Sequence, residues 1–175
     1  MELVVAIDIA MTETAREADY VLPASTQFEK WEATFFNFEF PDNYFHLRKP
    51  LFEPLGESLS EAEIHARLVE AAGVMPTELV DELRGLLRDE GRAAFRERFM
   101  QALAEDGMVA KLAPVILYRT LGEVLPEEAK EGAVMWPLTM GFAMRDSESL
   151  ARAGYEGDPI TQAETLFDAI IAAHS

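Results

Sequence analysis

Between Leu3 and Pro23 the chain has room only for two short strands joined by a short polar-capped helix, and this brevity constrains its fold more than any other feature. Leu3-Val-Val-Ala-Ile7 is an unbroken apolar run of the kind that forms a strand buried on both faces, and Asp8 stands where that strand emerges. Thr12 is set to cap a helix, its hydroxyl accepting a first-turn N–H, and Glu13 suits the positive end of the helix dipole. Tyr20-Val-Leu22 returns to an extended apolar pattern, which Pro23 closes because proline cannot donate to a ladder. A strand–helix–strand unit is expected. In open α/β sheets, ligands sit beyond strand carboxyl ends and against helix N-termini, so Asp8 and Thr12 are candidate binding residues. A surface turn with no ligand would use the same residues.

From Ser58 onward helical periodicity takes over. Ile64, Leu68 and Ala72 share a face that Gly73 terminates, and Ser58 with Glu61 fits a capping box. Leu79, Val80, Leu83, Leu86 and Leu87 form one stripe, and Phe95, Phe99, Met100 and Leu103 form another after Gly91, which predicts an antiparallel helical pair. Pro114 begins or kinks a helix within residues 109–121, and Pro126-Glu-Glu128 places proline at a first helical position. Trp136, Pro137, Met140, Phe142 and Met144 are apolar without clean periodicity. Asp158-Pro159 opens a last helix, with Leu166, Phe167, Ile170 and Ile171 facing a core. The fold class is therefore α/β to mostly α: a short strand–helix–strand unit over residues 1–57, then a predominantly helical region over 58–175.

Gln27 to Leu55 is aromatic, carrying Phe28, Trp31, Phe35, Phe36, Phe38, Phe40, Tyr44, Phe45 and Phe52, and Pro41, Pro50 and Pro54 make an irregular connection the expected form. So much apolar surface must pack against something. A base-stacking groove is disfavoured by charge: 15 Lys and Arg against 32 Asp and Glu leave −17, which repels phosphate backbones and anionic membranes. No cysteine occurs, which removes disulfides, thiolate zinc sites and iron–sulfur clusters from this sequence. No signal peptide or membrane span is visible, so a cytoplasmic location without membrane insertion is expected.

Chemistry elsewhere is sparse. Glu61 and His65 are four apart, but His46 and His174 do not repeat that spacing, and a metal site is not expected. Glu127, Glu128 and Glu131 read as first-turn helix stabilisers. Ser25, Ser60, Ser147 and Ser149 lack a nucleophile-elbow setting, and no catalytic residue is assigned. Met135, Met140 and Met144 suit either core filling or a partner helix.

The run Asp8, Thr12-Glu-Thr-Ala15, Ala18-Asp-Tyr-Val-Leu-Pro23, then Glu29, Glu32-Ala-Thr34, Asn37 and Glu39 resembles the large subunits of molybdopterin oxidoreductases. That family includes dimethyl sulfoxide reductase, formate dehydrogenases and periplasmic nitrate reductases. The resemblance covers residues 2 to about 40, and weakly to 72. In the family a "TxTAxxADxVLP" segment ends a nucleotide-binding-like domain. Ala33 replaces the usual glycine, Phe40-Pro41 stands where Gly-Arg is usual, and one extra residue lies between Pro23 and Glu32.

The resemblance implies molybdopterin guanine dinucleotide with molybdenum or tungsten in the full-length protein, and an iron–sulfur cluster on other sequence. Asp8 holds the position of an aspartate that contacts the guanosine, and a carboxylate can accept two donors from a guanine edge. Lys30 matches a lysine that meets the cofactor in some members, although a solvated surface lysine is the other reading; an ammonium suits a pyrophosphate. Glu61 falls where many members place an aspartate near the dinucleotide. The chain is thus expected to be an internal, by itself inactive and cofactor-free piece of an oxidoreductase, with the rest of that enzyme and an electron-transfer subunit as partners and no nucleic acid. The alternative is an acidic helical interaction or assembly module without activity.

Overall fold

The computed structural model describes residues 2–34, 38–39, 42–43 and 46–172. Phe35, Phe36, Asn37, Phe40, Pro41, Tyr44, Phe45 and His174 lie outside the described residues. The chain divides into two compact units between Gly73 and Val74.

In the first unit, β1 (Val5–Asp8), a one-turn α1 (Glu13–Arg16) and β2 (Tyr20–Pro23) form the expected strand–helix–strand unit. The strands are parallel, with Val5 opposite Tyr20 and Asp8 opposite Pro23. Leu59 extends the pairing to a third position through a parallel bridge to Ala24. Ala15 is buried beneath the turn, and Asp19 Oδ2 accepts the Val4 N–H at 2.8 Å, tying the end of the turn to the start of β1. Burial of β1 on both faces does not hold: Val5 is exposed and Ala6 to Asp8 are half-buried. Its only strand neighbour among the described residues is β2.

The stretch expected to be irregular contains short antiparallel pairs. β3 (Glu32–Thr34) pairs with β6 (His46–Arg48), and β4 (Phe38–Glu39) pairs with β5 (Asp42–Asn43). α2 (Glu61–Ala71) follows, and its cap differs from the expected box. Ser60, not Ser58, accepts the Glu63 N–H, and the Ser58 hydroxyl is buried with no partner among the described residues. The two serines are two residues apart and equally apt by type; the Leu59 bridge holds Ser58 before the helix and delays its start. Leu68 is exposed, and Ala66 joins Ile64 in the buried set instead. Gly73 follows the helix at φ +67°, a conformation that costs glycine little.

The second unit is helical: α3 (Thr77–Asp89), α4 (Arg92–Glu105), α5 (Gly107–Arg119), 3-10 segments at Leu121–Val124 and Glu127–Val134, α6 (Met135–Arg145), α7 (Ser147–Arg152) and α8 (Pro159–Ala172). α3 and α4 form the antiparallel pair, clasped by Arg98 Nε–H to Glu82 at 2.8 Å. Pro114 lies inside α5 rather than at its start. Pro126 precedes a 3-10 segment, so the acidic run Glu127-Glu128 opens that tighter helix. α6 resolves the unperiodic apolar stretch by burying Trp136, Thr139 and Ala143, and α8 packs against it with Gln162, Ala163, Phe167 and Ile171 inward. Phe95, Phe99 and Trp136 form the aromatic centre of the core. Met100, expected on the core stripe of α4, is exposed. Among the described residues no helix is long and apolar enough to cross a membrane.

Candidate functional site

All four candidate binding residues belong to the first unit, and the strand register aligns the segments that carry them. The Ala24 N–H donates to Asp8 O at 3.0 Å, the Ser25 N–H to Leu59 O at 2.8 Å, and the Leu59 N–H to Pro23 O at 3.2 Å. The carboxyl ends of β1, β2 and the Leu59 position therefore lie side by side, spanning two strand spacings, or about 10 Å. One edge bears the Asp8–Thr12 turn, Ser25 and the start of α2.

The turn after β1 is built around the Asp8 carboxylate. Oδ1 accepts the Ile9 N–H at 2.8 Å and the Ala10 N–H at 3.3 Å, while Oδ2 accepts the Thr12 hydroxyl at 2.8 Å. Thr12 Oγ1 in turn accepts the Ala15 N–H at 3.2 Å, which is the cap expected from the sequence. The Thr12 hydroxyl, aided by the Ala10 and Ile9 amides, holds the Asp8 carboxyl below the usual carboxylate range. A carboxylate offers about four acceptor positions, and three are used here, leaving room for one outside donor.

The sign of the pH dependence follows from that depression. Ordering of the turn by ionised Asp8 is fully present above its ordinary value of 3.8, and is lost as pH falls through the lower folded value. Thr12→Val keeps the shape but removes the hydroxyl. Its expected result is a rise of the Asp8 pKa toward the ordinary value, read by NMR titration of the carboxyl carbon; an unmoved titration would show that the hydroxyl is not what holds it down.

Lys30 and Glu61, thirty-one positions apart, meet in an ion pair, with Glu32 3.8 Å from the same ammonium. Lys30 is mostly buried while Glu61 is half-buried. Its neighbour Glu29 fixes the loop: Oε2 accepts the Thr26 N–H at 2.8 Å and Oε1 accepts the Leu55 N–H at 2.9 Å. Thr26, above all through its N–H, and then Leu55 hold the Glu29 carboxyl low. Glu61 therefore works through its carboxylate on Lys30, not as the reciprocal half of a capping box.

The Glu61–His65 spacing does not make a ligand pair, because His65 Nδ1–H donates to the Glu61 carbonyl at 2.6 Å. Among the described residues no group of three or more His, Asp or Glu side chains is arranged to hold a metal ion. Sequence reasoning missed Ser25, which is 1% exposed, its hydroxyl without a partner among the described residues, at the same strand edge. A serine directly after a strand-ending Pro-Ala, facing no local cap, was the available signal.

The molybdopterin oxidoreductase family model matches residues 1–71. "Probable oxidoreductase YoaE" of Bacillus subtilis is 41% identical over 81 residues, covering 46% of this chain and 12% of that protein. "Probable oxidoreductase YyaE" of the same organism is 39% identical over 71 residues, covering 41% of this chain and 10% of that protein. The respiratory nitrate reductase subunit alpha of Haloferax mediterranei is 31% identical over 106 residues, covering 61% of this chain and 10% of that protein. The chain thus spans about a tenth of the length of these relatives, and the match to the Haloferax protein is long enough to continue past Gly73. No solved structure matches the chain significantly.

Proposed function

We propose, from the match of residues 1–71 to the molybdopterin oxidoreductase family model, that this chain forms one edge of the guanine dinucleotide pocket of a molybdopterin-dependent oxidoreductase whose redox metal is held by other sequence. The observation that carries the reading is the alignment of three parallel carboxyl ends, which sets Asp8, the orphaned Ser25 hydroxyl and Glu61 along one edge. This is where open α/β sheets hold nucleotides.

The donor and acceptor chemistry of the edge fits the guanosine end of such a cofactor. Asp8 keeps one acceptor position, enough for a guanine N–H or a ribose hydroxyl, and a second donor would have to displace the Thr12 hydroxyl. Glu61 is accessible beyond its bond to Lys30 and supplies another acceptor. Lys30 has three N–H donors, so it can keep Glu61 and still give one to a phosphate oxygen; with two carboxylates beside it, its charge is already balanced. Ser25 can donate to or accept from whichever group reaches it. When bound, the cofactor supplies the metal for oxygen-atom or electron transfer; these residues hold its nucleotide end in place.

The remainder of the same enzyme is the proposed cover for the open side of β1, where Leu3, Val5, Ile9 and Met11 are exposed. One edge cannot make the contacts a large dinucleotide needs, so the chain alone should neither retain the cofactor nor turn over. The test is made in the intact enzyme. Asp8→Ala is expected to lower the guanosine monophosphate released by acid hydrolysis per mole of enzyme, with molybdenum or tungsten falling in parallel and the circular dichroism unchanged. Full cofactor content in that variant would overturn the assignment. Micromolar binding of a guanine nucleotide by this chain alone, abolished by Asp8→Ala, would overturn the expectation that the edge is insufficient.

A further inference from the structure

We propose that the groove between α4 and α6 is a docking site for the apolar face of a basic amphipathic helix on a partner polypeptide. The inference goes beyond the cofactor-edge reading and does not depend on it, since the groove lies wholly within the second unit.

The groove has a volume of about 940 Å³, and its floor and walls are apolar: Met100 and Leu103 from α4, Trp136, Met140 and Met144 from α6, and Ile160 from the start of α8. Met100 is 55% exposed and Met144 is 70% exposed, on faces of two helices whose other sides are packed into the core. Methionine is unbranched and polarisable, and it recurs where a surface must mould itself to a helix laid into a groove. α4, with 14 residues, is roughly 21 Å long, which matches three to four turns of a docked helix.

A second observation comes from Gly141, which lines the groove in the middle of α6. Glycine in a helix interior weakens the helix relative to alanine. A Cβ at Gly141 would meet nothing within 4 Å, so no contact inside the protein requires the missing side chain. The glycine leaves the groove open along α6, the room that close approach of a docked helix would use.

Charge selects the occupant. Glu90 and Glu97 stand on the rim, both exposed and neither ion-paired among the described residues, while the lining cation Arg96 is turned to Glu164 at 3.5 Å. The side supplied by α6 is uncharged at Pro137, Met140, Gly141 and Met144. A helix whose apolar stripe sits on the methionines and whose Lys or Arg residues reach toward α4 answers both sides. A second copy of this chain does not, because each copy carries −17 and the two would repel.

The test uses the full chain and three synthetic helical peptides sharing one stripe of Leu and Phe at i, i+3, i+4 and i+7: one with Lys and Arg elsewhere, one with Glu elsewhere, and one scrambled. Calorimetric titration is expected to give micromolar binding of the basic peptide alone. Gly141→Leu fills the groove at a position with open space and a gain in helix propensity, so its melting temperature should match or exceed wild type while binding weakens about ten-fold or more. Met144→Glu, on an exposed side chain, should weaken binding similarly without unfolding. The double change Glu90→Lys, Glu97→Lys should reverse the preference toward the acidic peptide. Equal binding of the acidic or scrambled peptide, unchanged affinity in a folded Gly141→Leu variant, or a wild-type dimer in sedimentation that Gly141→Leu dissolves would each overturn the proposal.

Discussion

Trp136→Ala is expected to lower the unfolding free energy by about 3–5 kcal/mol, the range for removing a large aromatic side chain from a close-packed core. Trp136 is 1% exposed, and its ring lies 5.4 Å from that of Phe95 and 6.3 Å from that of Phe99, with tilted planes. Phe95 and Phe99 stack on each other at 5.6 Å, so truncating the indole removes one of three mutually supporting rings. The surrounding helices α4, α6 and α8 are held by separate contacts and cannot collapse fully into the space. The indole N–H also donates to Glu164 at 3.2 Å. Glu164 keeps its ion pairs with Arg92 at 3.2 Å and Arg96 at 3.5 Å, but its Oε1 loses the indole hydrogen bond while its buried Oε2 accepts none among the described residues, so the cost combines the cavity with a less satisfied carboxylate. Urea unfolding followed by circular dichroism at an unchanged m-value checks this. Trp136→Phe should fall between the two, and a loss below about 1 kcal/mol for alanine would mean that the core repacks freely.

Gly122→Ala is expected to cost about 1–3 kcal/mol, by overpacking rather than by loss of contact. Gly122 is buried in the 3-10 segment Leu121–Val124, and a Cβ there would sit 2.8 Å from the Lys130 carbonyl oxygen and 3.1 Å from its Cγ. The Lys130 side chain could move, but its carbonyl belongs to the neighbouring 3-10 segment and cannot yield without shifting that backbone. Gly141→Ala serves as the internal contrast. With nothing within 4 Å of its Cβ, the same substitution should stabilise α6 by about 0.5–1 kcal/mol. Paired melts of the two variants therefore move in opposite directions; a stabilised Gly122→Ala would show that the two 3-10 segments are not in close contact.

Much of the local structure was legible because it rests on interactions between residues a few positions apart. The Thr12 cap, the stop at Gly73 and the α3–α4 hairpin each follow from a pattern complete within one segment. The Ser60 cap was missed by two residues because Ser58 is equally apt by type, and the choice between them depends on where Leu59 bridges Ala24. Met100 fits the apolar stripe of α4 as well as Phe99 does; only the positions of α6 and α8 decide that one is core and the other lines a groove. Gln162 gave no signal at all. It is buried in α8 and joins Ser147 at 2.6 Å and the Tyr155 carbonyl at 3.0 Å, partners that become neighbours only when α7 folds back on α8.

The candidate site divides in the same way. Asp8 and Thr12 are four positions apart, and the turn that links them is written in the chain, down to the amides of Ile9 and Ala10 that donate to the carboxylate. Lys30 and Glu61 were each singled out as separate cofactor contacts by resemblance, and neither suggested the other. Their ion pair spans thirty-one positions and exists because β2 and Leu59 pair in register and carry both segments to one edge. The sequence by itself determined the turn after β1, the strand–helix–strand unit and the helical body, because hydrogen bonds and periodicities of short range are encoded where they act. Only the tertiary structure decided that Lys30 and Glu61 neutralise each other, that the Ser25 hydroxyl is left without a partner among the described residues, and that α4 and α6 leave a groove between them, because those outcomes depend on which distant surfaces the packed elements bring together.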